Sequence, residues 1–327
     1  MCFYVAIIPY GGSEMKKRIL IGSCGGLTGN YLTRQFQKLG YYVIGADASE
    51  RNATRFFVDE FIKLPPAKDE NFMNLLVDAL KEHQADYYIP VHSKEFRVIA
   101  KNEQWLRDHW DGKFIITPQK TFELLENKKI GSVHMQQVGI PVPKMYDDIS
   151  QITEYPVFMK PDTGSASQGT RKIENRKLAE VYAELEPGST FYELVKGTEF
   201  TVDCMFDAQG KLLGYNQRIR EKSLGGGVIV SRNDYQFDIL PYLKKLEENF
   251  VFKGCVNFQY ILRDGVPYFI DVNLRYASGG LPLAVASGIN IPQIMLDIFE
   301  GNPIGEIKSC AAEGKTMYRY FEELYEG

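Results

Sequence analysis

An α/β domain followed by an α+β module is the architecture that this 327-residue sequence predicts. Three observations carry that reading. Short apolar runs alternate with helix-patterned stretches up to about residue 116. Beyond that point strand-patterned runs dominate and include a long hairpin. Hydrophobic residues make up 44% and charged residues 24%, ordinary values for a folded soluble chain whose length suggests about two domains.

Residues 1–14 read as a loose extension, because Met15, Lys16, Lys17 and Arg18 look like an alternative start just ahead of a strand. The apolar opening lacks the leading positive charge and the cleavage site of a signal peptide. Residues 18–22 (RILIG) form a β-rich run that enters a glycine turn over 22–29. A helical pattern over 30–39, a run ending at Asp47, a helix over about 70–83, and runs at 87–91 and 114–117 follow. Strands alternating with helices predict a parallel sheet covered on both faces, a Rossmann-like domain over 15–116.

Thr117-Pro118 offers a hydroxyl cap and a first-turn proline to a helix that reaches Lys128 and Lys129. A strand over 155–161, a loop of small residues (DTGSASQGT), a helix over 177–185 and a strand over 191–195 come next. Residues 117–189 are read as a small lobe with its connecting helices and 190–327 as a larger lobe. The larger lobe opens on the alternating EFTVDCMFD and KLLGYNQRIR. It continues with a helix over 235–250, the hairpin CVNFQYILRDGVPYFIDVN and a last helix over 292–300.

Composition excludes several functions. With 38 basic and 42 acidic residues there is no global positive field to hold nucleic acid. The five cysteines (Cys2, Cys24, Cys204, Cys255 and Cys310) form no C-x-x-C pair, and the four histidines lack ligand spacing. That argues against zinc or a disulfide framework and for a reducing cytoplasm. No apolar run approaches the ~18 residues of a membrane span. Exposed apolar patches leave a homodimer open.

The strongest local signal is DVNLR. Residues two apart on a strand share a face, so Asp271, Asn273 and Arg275 project together. A carboxylate and an amide oxygen suit a hard divalent cation, and an arginine suits phosphate. A solvated edge strand is the plain alternative. Gln259, on the preceding strand, joins Asp271 only in one register. A two-residue turn (Asp264, Gly265) puts them on opposite faces, whereas a three-residue turn from Arg263 puts them on one face, with Asn257 opposite Asp271. The metal reading takes the second register.

Lys160 ends a strand ahead of the loop Gly164 to Gly169, whose backbone N–H groups and hydroxyls suit phosphate oxygens, although the loop is no Walker A motif. ELVKGTE (Glu193 to Glu199) reads as a connector between lobes, able to offer backbone groups to an adenine edge and a carboxylate to ribose. Lys128, at a helix end, is a favourable partner for the helix dipole. The turn with Gly25 and Gly26 has the wrong spacing for G-x-G-x-x-G, although Asp47 mimics the acid of a nicotinamide site.

In this order the pieces resemble the ATP-grasp superfamily, and more narrowly its carbamoyl-phosphate-synthase large-chain-like members, over nearly all of residues 16–303. The resemblance implies a Rossmann-like pre-ATP-grasp domain followed by a two-lobed α+β ATP-grasp module with ATP between the lobes. It implies that Lys128 and Lys160 contact the phosphates and that Ser167, Gln168 and Gly169 close over them. Glu193 and the Val195 backbone would meet adenine, and Glu199 the ribose. Gln259, Asp271 and Asn273 would hold magnesium, as two ions, and Arg275 would face the transferred phosphate or acyl phosphate. Arg218 and Arg220, of one strand parity, would contact substrate or phosphate.

The chain departs from the family in carrying Asp271 where glutamate is common and Leu274 where proline is common, and it holds one set of motifs where a carbamoyl-phosphate synthase holds two. The activity implied is an ATP-dependent ligase that makes an acyl phosphate from a small carboxylate for attack by an amine or another nucleophile. Lys160 and Arg275 would be its catalytic residues. The carboxylate would bind between the first domain and the ATP module, near Gly25, Gly26 and the HSKEF run. There Glu95 would either hold an amine or act as a helix-start acid. A non-catalytic nucleotide-binding protein and an NAD-linked oxidoreductase are the rivals.

Overall fold

The computed structural model describes residues 16–164, 169–224, 227–305, 307 and 314–326. The first domain comprises β1 (Arg18–Ile21), α1 (Leu27–Lys38), β2 (Tyr42–Asp47), β3 (Glu60–Lys63), α2 (Phe72–Glu82), β4 (Tyr87–Ile89), α3 (Ser93–Lys101) and α4 (Glu103–His109). Its four strands lie in the order β3-β2-β1-β4, and every pair is parallel. Ile19, Leu20, Ile21, Val43 and Ile44 are fully buried, which is why these strands read as continuous apolar runs.

The fourth strand is β3, whose short EFIK run is weakly apolar, and not the segment 114–117 expected from sequence. In that segment Phe114, Ile115 and Ile116 are buried in the core, and only Lys113 bridges the sheet, at Tyr87. The Thr117 hydroxyl donates to the Lys253 carbonyl and accepts from the Lys253 N–H, both at 3.1 Å. The segment therefore ties the first domain to the large lobe, and Thr117 caps no helix. The helical pattern divides in two, α5 (Gln119–Leu125) and α6 (Lys128–Gln137), because the Asn127 side chain accepts from the Ile130 N–H and starts a new helix. Lys128 thus stands at a helix N-terminus. The dipole there disfavours a cation, so the expected dipole partnership does not hold.

The small lobe contains β5 (Met145–Tyr146), β6 (Val157–Pro161), β7 (Arg171–Ile173), α7 (Arg176–Leu185) and β8 (Ser189–Glu193), with an antiparallel sheet ordered β5-β8-β6-β7. The lobe boundary expected at 189/190 falls inside β8, which pairs with β6 through Glu193. The connector is residues 194–197. This lobe has its own apolar cluster (Ile152, Val157, Met159, Ile173, Ala179 and Phe191). The first domain, the connecting helices α5 and α6 (through Phe122, Leu125 and Met135) and the large lobe share one continuous core.

The large lobe comprises β9 (Thr198–Phe206), β10 (Leu212–Leu224), β11 (Gly227–Asn233), α8 (Leu240–Asn249), β12 (Gly254–Arg263), β13 (Val266–Asn273), α9 (Leu281–Ala286), α10 (Ile291–Glu300) and β14 (Thr316–Tyr318). Its six strands run antiparallel in the order β13-β12-β9-β10-β11-β14. The helix expected from 235 begins later, at Leu240, whose N–H is held by the Asp238 carboxylate.

The β12–β13 hairpin decides what faces the cleft. Its turn has two residues, since Arg263 pairs with Val266, and not the three that the metal reading required. Without correction, Gln259 would then pair with Ile270, and Asp271 would turn onto the core face opposite Phe258. A β-bulge at Ile270 inserts one extra residue on β13, so Gln259 pairs with Asp271 and Asn257 with Asn273. The shared face thus comes from the bulge and not from the turn, and Asn257 does not sit opposite Asp271. On the other face Phe258, Tyr260 and Phe269 are fully buried, and each contributes roughly 1.5–3 kcal/mol. Both turn residues have positive φ, 51° at Asp264 and 76° at Gly265, as a type I′ turn demands. Gly265→Val should therefore destabilise the protein by about 1–2 kcal/mol, read as a lower urea midpoint at unchanged slope. An unchanged midpoint would show that the turn does not set the hairpin.

Candidate functional site

A cavity of about 420 Å³ lies between the lobes. Small-lobe residues Lys128, Phe158, Lys160 and Tyr192 line one side, and Arg220, Gln259, Ile261, Ile270 and Asp271 line the other. Glu193, Leu194, Val195 and Glu199, on the connector and its flanking strands, line it as well. Phe158, Tyr192, Leu194 and Ile261 give it an apolar slot. Two carboxylates there are already bonded. Glu193 accepts from the Lys144 N–H at 3.1 Å and from Arg263 Nη1 at 3.3 Å, and Glu199 accepts from Arg220 Nη1 at 2.8 Å.

Lys160 ends β6 and is 6% exposed. Its ammonium donates across the cleft to the Ile270 carbonyl at 2.8 Å and lies 4.3 Å above the Tyr192 ring. Burial pulls its pKa from the ordinary 10.5 down to about 8, against the opposing pull of Asp271 and with the nearby Lys128 charge adding to the fall. Lys128 Nζ donates to the Gly164 carbonyl at 2.7 Å, so the two lysines bracket the end of β6. Ser167 and Gln168 lie outside the described residues. Gly169 closes the loop at a φ of 74° beside Pro161, while Gly164 and Thr170 line the cavity.

The cleft continues into a smaller cavity of about 70 Å³ lined by Arg218, Arg220, Gln259, Asp271, Asn273 and Arg275. Asn273 Nδ2 donates to Asp271 Oδ2 at 2.9 Å, and Asn273 Oδ1 accepts from Arg275 Nη2 at 3.3 Å. Arg218 is 2% exposed and forms a two-pronged pair with Asp203, at 2.7 and 3.2 Å. Its charge is thus largely neutralised in place, while Arg220 reaches both cavities.

Among the described residues no group of three or more His, Cys, Asp or Glu side chains could hold a metal ion. What the site offers instead is one carboxylate flanked by two side-chain amides. That donor set fits magnesium, which takes oxygen ligands and is usually bound by one or two carboxylates with phosphate oxygens completing its shell.

A third cavity, of about 520 Å³, opens between the first domain and the large lobe. Its walls include Gly26, Asp47, His92, Lys94, Glu95 and, from the large lobe, Arg275. Arg275 Nε donates to Ser93 Oγ at 2.9 Å, and Asn257 Nδ2 donates to the Arg275 carbonyl at 3.0 Å. Gly25 is absent from that lining, and its N–H donates to Asp47 Oδ2 at 2.8 Å. Asp47 also accepts from the Ser49 N–H at 2.9 Å, so it clamps the glycine turn.

Glu95 is buried beneath the cavity. It accepts from Tyr88 Oη at 2.6 Å and the Val91 N–H at 3.2 Å, and burial raises its pKa. It stands in the first turn of α3, as the helix-start reading expects, and it is buried there as an internal brace. Its fit explains Gly22, where a Cβ would come within 1.9 Å of the Glu95 carboxylate. His92 caps α3, its Nδ1 accepting from the Lys94 N–H at 3.2 Å. Desolvation, with the Arg275 and Lys94 charges, lowers its pKa.

Sequence reasoning missed Phe158, Tyr192 and Asn257. Strand parity with Lys160 and Gln259 would have flagged Phe158 and Asn257. No local pattern marks Tyr192.

Comparison with known proteins agrees with this geometry. Residues 190–323 match the family described as ATP-grasp in the biosynthetic pathway with Ter operon, and residues 19–109 match the PylC-like N-terminal domain. The D-alanine–D-alanine ligase of Fusobacterium nucleatum is 24% identical over 280 residues, 80% of this chain and 85% of that protein. The 3-methyl-D-ornithine–L-lysine ligase of Methanosarcina mazei is 25% identical over 317 residues, covering 94% and 78%. Likeness to the carbamoyl phosphate synthase large chain of Clostridium acetobutylicum, 24% identical over 221 residues, spans 60% of this chain but 20% of that one. Among solved structures, the biotin carboxylase of Campylobacter jejuni shares the fold with a TM-score of 0.71 at 19% identity, over 91% of this chain and 73% of its own. With one nucleotide-sized cleft between two antiparallel lobes and a PylC-like domain ahead of them, the chain belongs to the ATP-grasp superfamily.

Proposed function

We propose that the protein is an ATP- and magnesium-dependent ligase that activates a small carboxylate as an acyl phosphate for attack by an amine or another nucleophile. The observation that carries this reading is the position of Arg275. It lines both the small cavity beside Asp271 and the large cavity under the first domain, so a phosphoryl donor and an acceptor can meet at one guanidinium. The ligases of Fusobacterium nucleatum and Methanosarcina mazei, similar over most of their length, support the same reaction class.

Adenine occupies the apolar slot against Glu193 and the Val195 backbone, with Glu199 at the ribose. Lys128 and Lys160 hold the phosphates, with Ser167 and Gly169 on the covering loop. Gln259, Asp271 and Asn273 would hold magnesium, as two ions with phosphate oxygens completing their shells. Bound magnesium supplies charge neutralisation at the phosphates. The substrate carboxylate, placed by Arg275 with Arg220 and Arg218 behind it, attacks the γ-phosphorus, and ADP departs. The nucleophile then attacks the acyl carbon and phosphate leaves. Positioning and fixed positive charge suffice for such transfer, so no Ser–His or Cys–His pair is needed.

A non-catalytic role is less favoured, because the cleft keeps a full complement of phosphate- and cation-binding groups. A nicotinamide site is less favoured, because the glycine turn over 22–29 lacks the G-x-G-x-x-G spacing of a dinucleotide loop. Buried, unpaired Cys24, Cys204 and Cys255 favour the cytoplasm, and no described helix is long and apolar enough to cross a membrane. Exposed Tyr318, Tyr320, Phe321 and Tyr325 offer a face for a second copy.

Two outcomes test the assignment. Lys160→Ala and Asp271→Ala should each lower ADP release by at least about 100-fold at an unchanged urea midpoint, and near-normal rates would refute the assigned roles. The second test uses pH. In the unliganded protein Lys160 loses its proton as pH rises through about 8, and phosphate binding restores it. Calorimetry in buffers of different ionisation enthalpy should show proton uptake on ATP binding near pH 8.5 that Lys160→Arg removes; no uptake would disprove the contact. Between about 8 and 10.5 the unfolded chain binds more protons at this group than the folded one, so its contribution to stability rises with pH there.

A further inference from the structure

The large cavity under the first domain is lined by charges of both signs. Arg275 stands where the cavity meets the phosphate-transfer region, and Lys94 lies on the same helix start as Ser93, the partner of Arg275. The Lys94 ammonium has no carboxylate partner among the described residues. His92 accepts a backbone N–H at Nδ1, so its neutral ring carries its proton on Nε2, a donor available to the cavity.

The remaining wall differs. Asp47 lies at the end of β2, and each of its oxygens takes one backbone N–H. A carboxylate has about four lone-pair positions, so Asp47 keeps acceptor capacity for an ammonium group. Glu95, the other carboxylate of the lining, is buried and bonded to Tyr88 and Val91. Leu64, Pro65 and Phe72 supply an apolar part of the lining, with the exposed Lys68 on the same stretch of chain. Asp47, His92 and Arg275 all line this one cavity of about 520 Å³, so a single small molecule bound there meets charges of both signs.

We propose that this cavity binds the phosphoryl-accepting substrate as a zwitterionic amino acid with an apolar side chain. Its carboxylate lies at Arg275 with Lys94 and His92, its ammonium at Asp47, and its side chain on Leu64, Pro65 and Phe72. The inference rests on the ligase reading above and names the substrate class of that site. A site built to pair a substrate ammonium rejects the analogue that lacks it, because the carboxylate is then left unmatched.

The test measures hydroxamate formation from ATP, magnesium, hydroxylamine and one carboxylate at a time. The probes are both enantiomers of leucine and phenylalanine against 4-methylpentanoate and 3-phenylpropanoate, which lack only the amine. At least one amino acid should exceed its des-amino partner in kcat/KM by about 100-fold or more. Asp47→Asn should reduce that preference at least about tenfold, while its ATP affinity by calorimetry confirms an intact nucleotide cleft. If that variant does not fold, the wild-type comparison decides alone. Equal rates for the paired compounds, a preference for the des-amino acids, or ATP binding with no hydroxamate from any of them would overturn the inference. Failure of the wild-type protein to bind ATP would instead remove the ligase reading on which it rests.

Discussion

One extra residue in the β12–β13 hairpin sets which side chains meet the cleft. A type I′ turn fixes the register from Arg263 to Phe269, and an uninterrupted ladder would then point Asp271 into a core packed with Phe258, Tyr260 and Phe269. A buried carboxylate without a partner is costly, so the unbulged pairing is disfavoured on that face as well. The bulge at Ile270 answers both problems. It returns Asp271 and Asn273 to the polar face opposite Gln259 and Asn257, and the Ile270 carbonyl, at the point where pairing is interrupted, accepts the Lys160 ammonium from the other lobe.

The electrostatics of the site follow from that arrangement. Lys128, Lys160, Arg220 and Arg275 converge on a region where, among the described residues, Asp271 is bonded to an amide and not committed to an arginine, whereas Asp203 is committed to Arg218 and Glu199 to Arg220. A polyanion with its cations is the natural complement of such a surface. Burial of Lys160 keeps its interaction with an incoming anion strong, at the cost of a depressed pKa when nothing is bound.

Much of this was legible in the sequence, for reasons that differ by residue. The shared face of Asp271, Asn273 and Arg275 follows from the two-residue period of a strand, and all three line the small cavity. The pairing of Gln259 was anticipated with the wrong cause, because a bulge has no signature in an alternating pattern. Lys128 was placed at the wrong end of a helix, because the break at Asn127 depends on one side-chain cap inside an unbroken helical pattern. The strand EFIK escaped notice since half of its residues are charged, and the apolar run at 114–117 looked like a strand yet serves as core packing. Glu95 shows the same limit. Only the fold reveals that it lies beneath the glycine turn and not on the surface.

The separate apolar cluster of the small lobe has a mechanical consequence. Since Ile152, Val157, Met159 and Phe191 pack among themselves, the β5–β8 sheet with α7 can swing as a unit without unzipping the interior that α5 and α6 share with the other two parts. The latch across the mouth is then polar and shallow, with the Lys160–Ile270 bond among its fastenings. Entry and exit of the nucleotide become a matter of breaking a few such ties, a motion far gentler than any local melting.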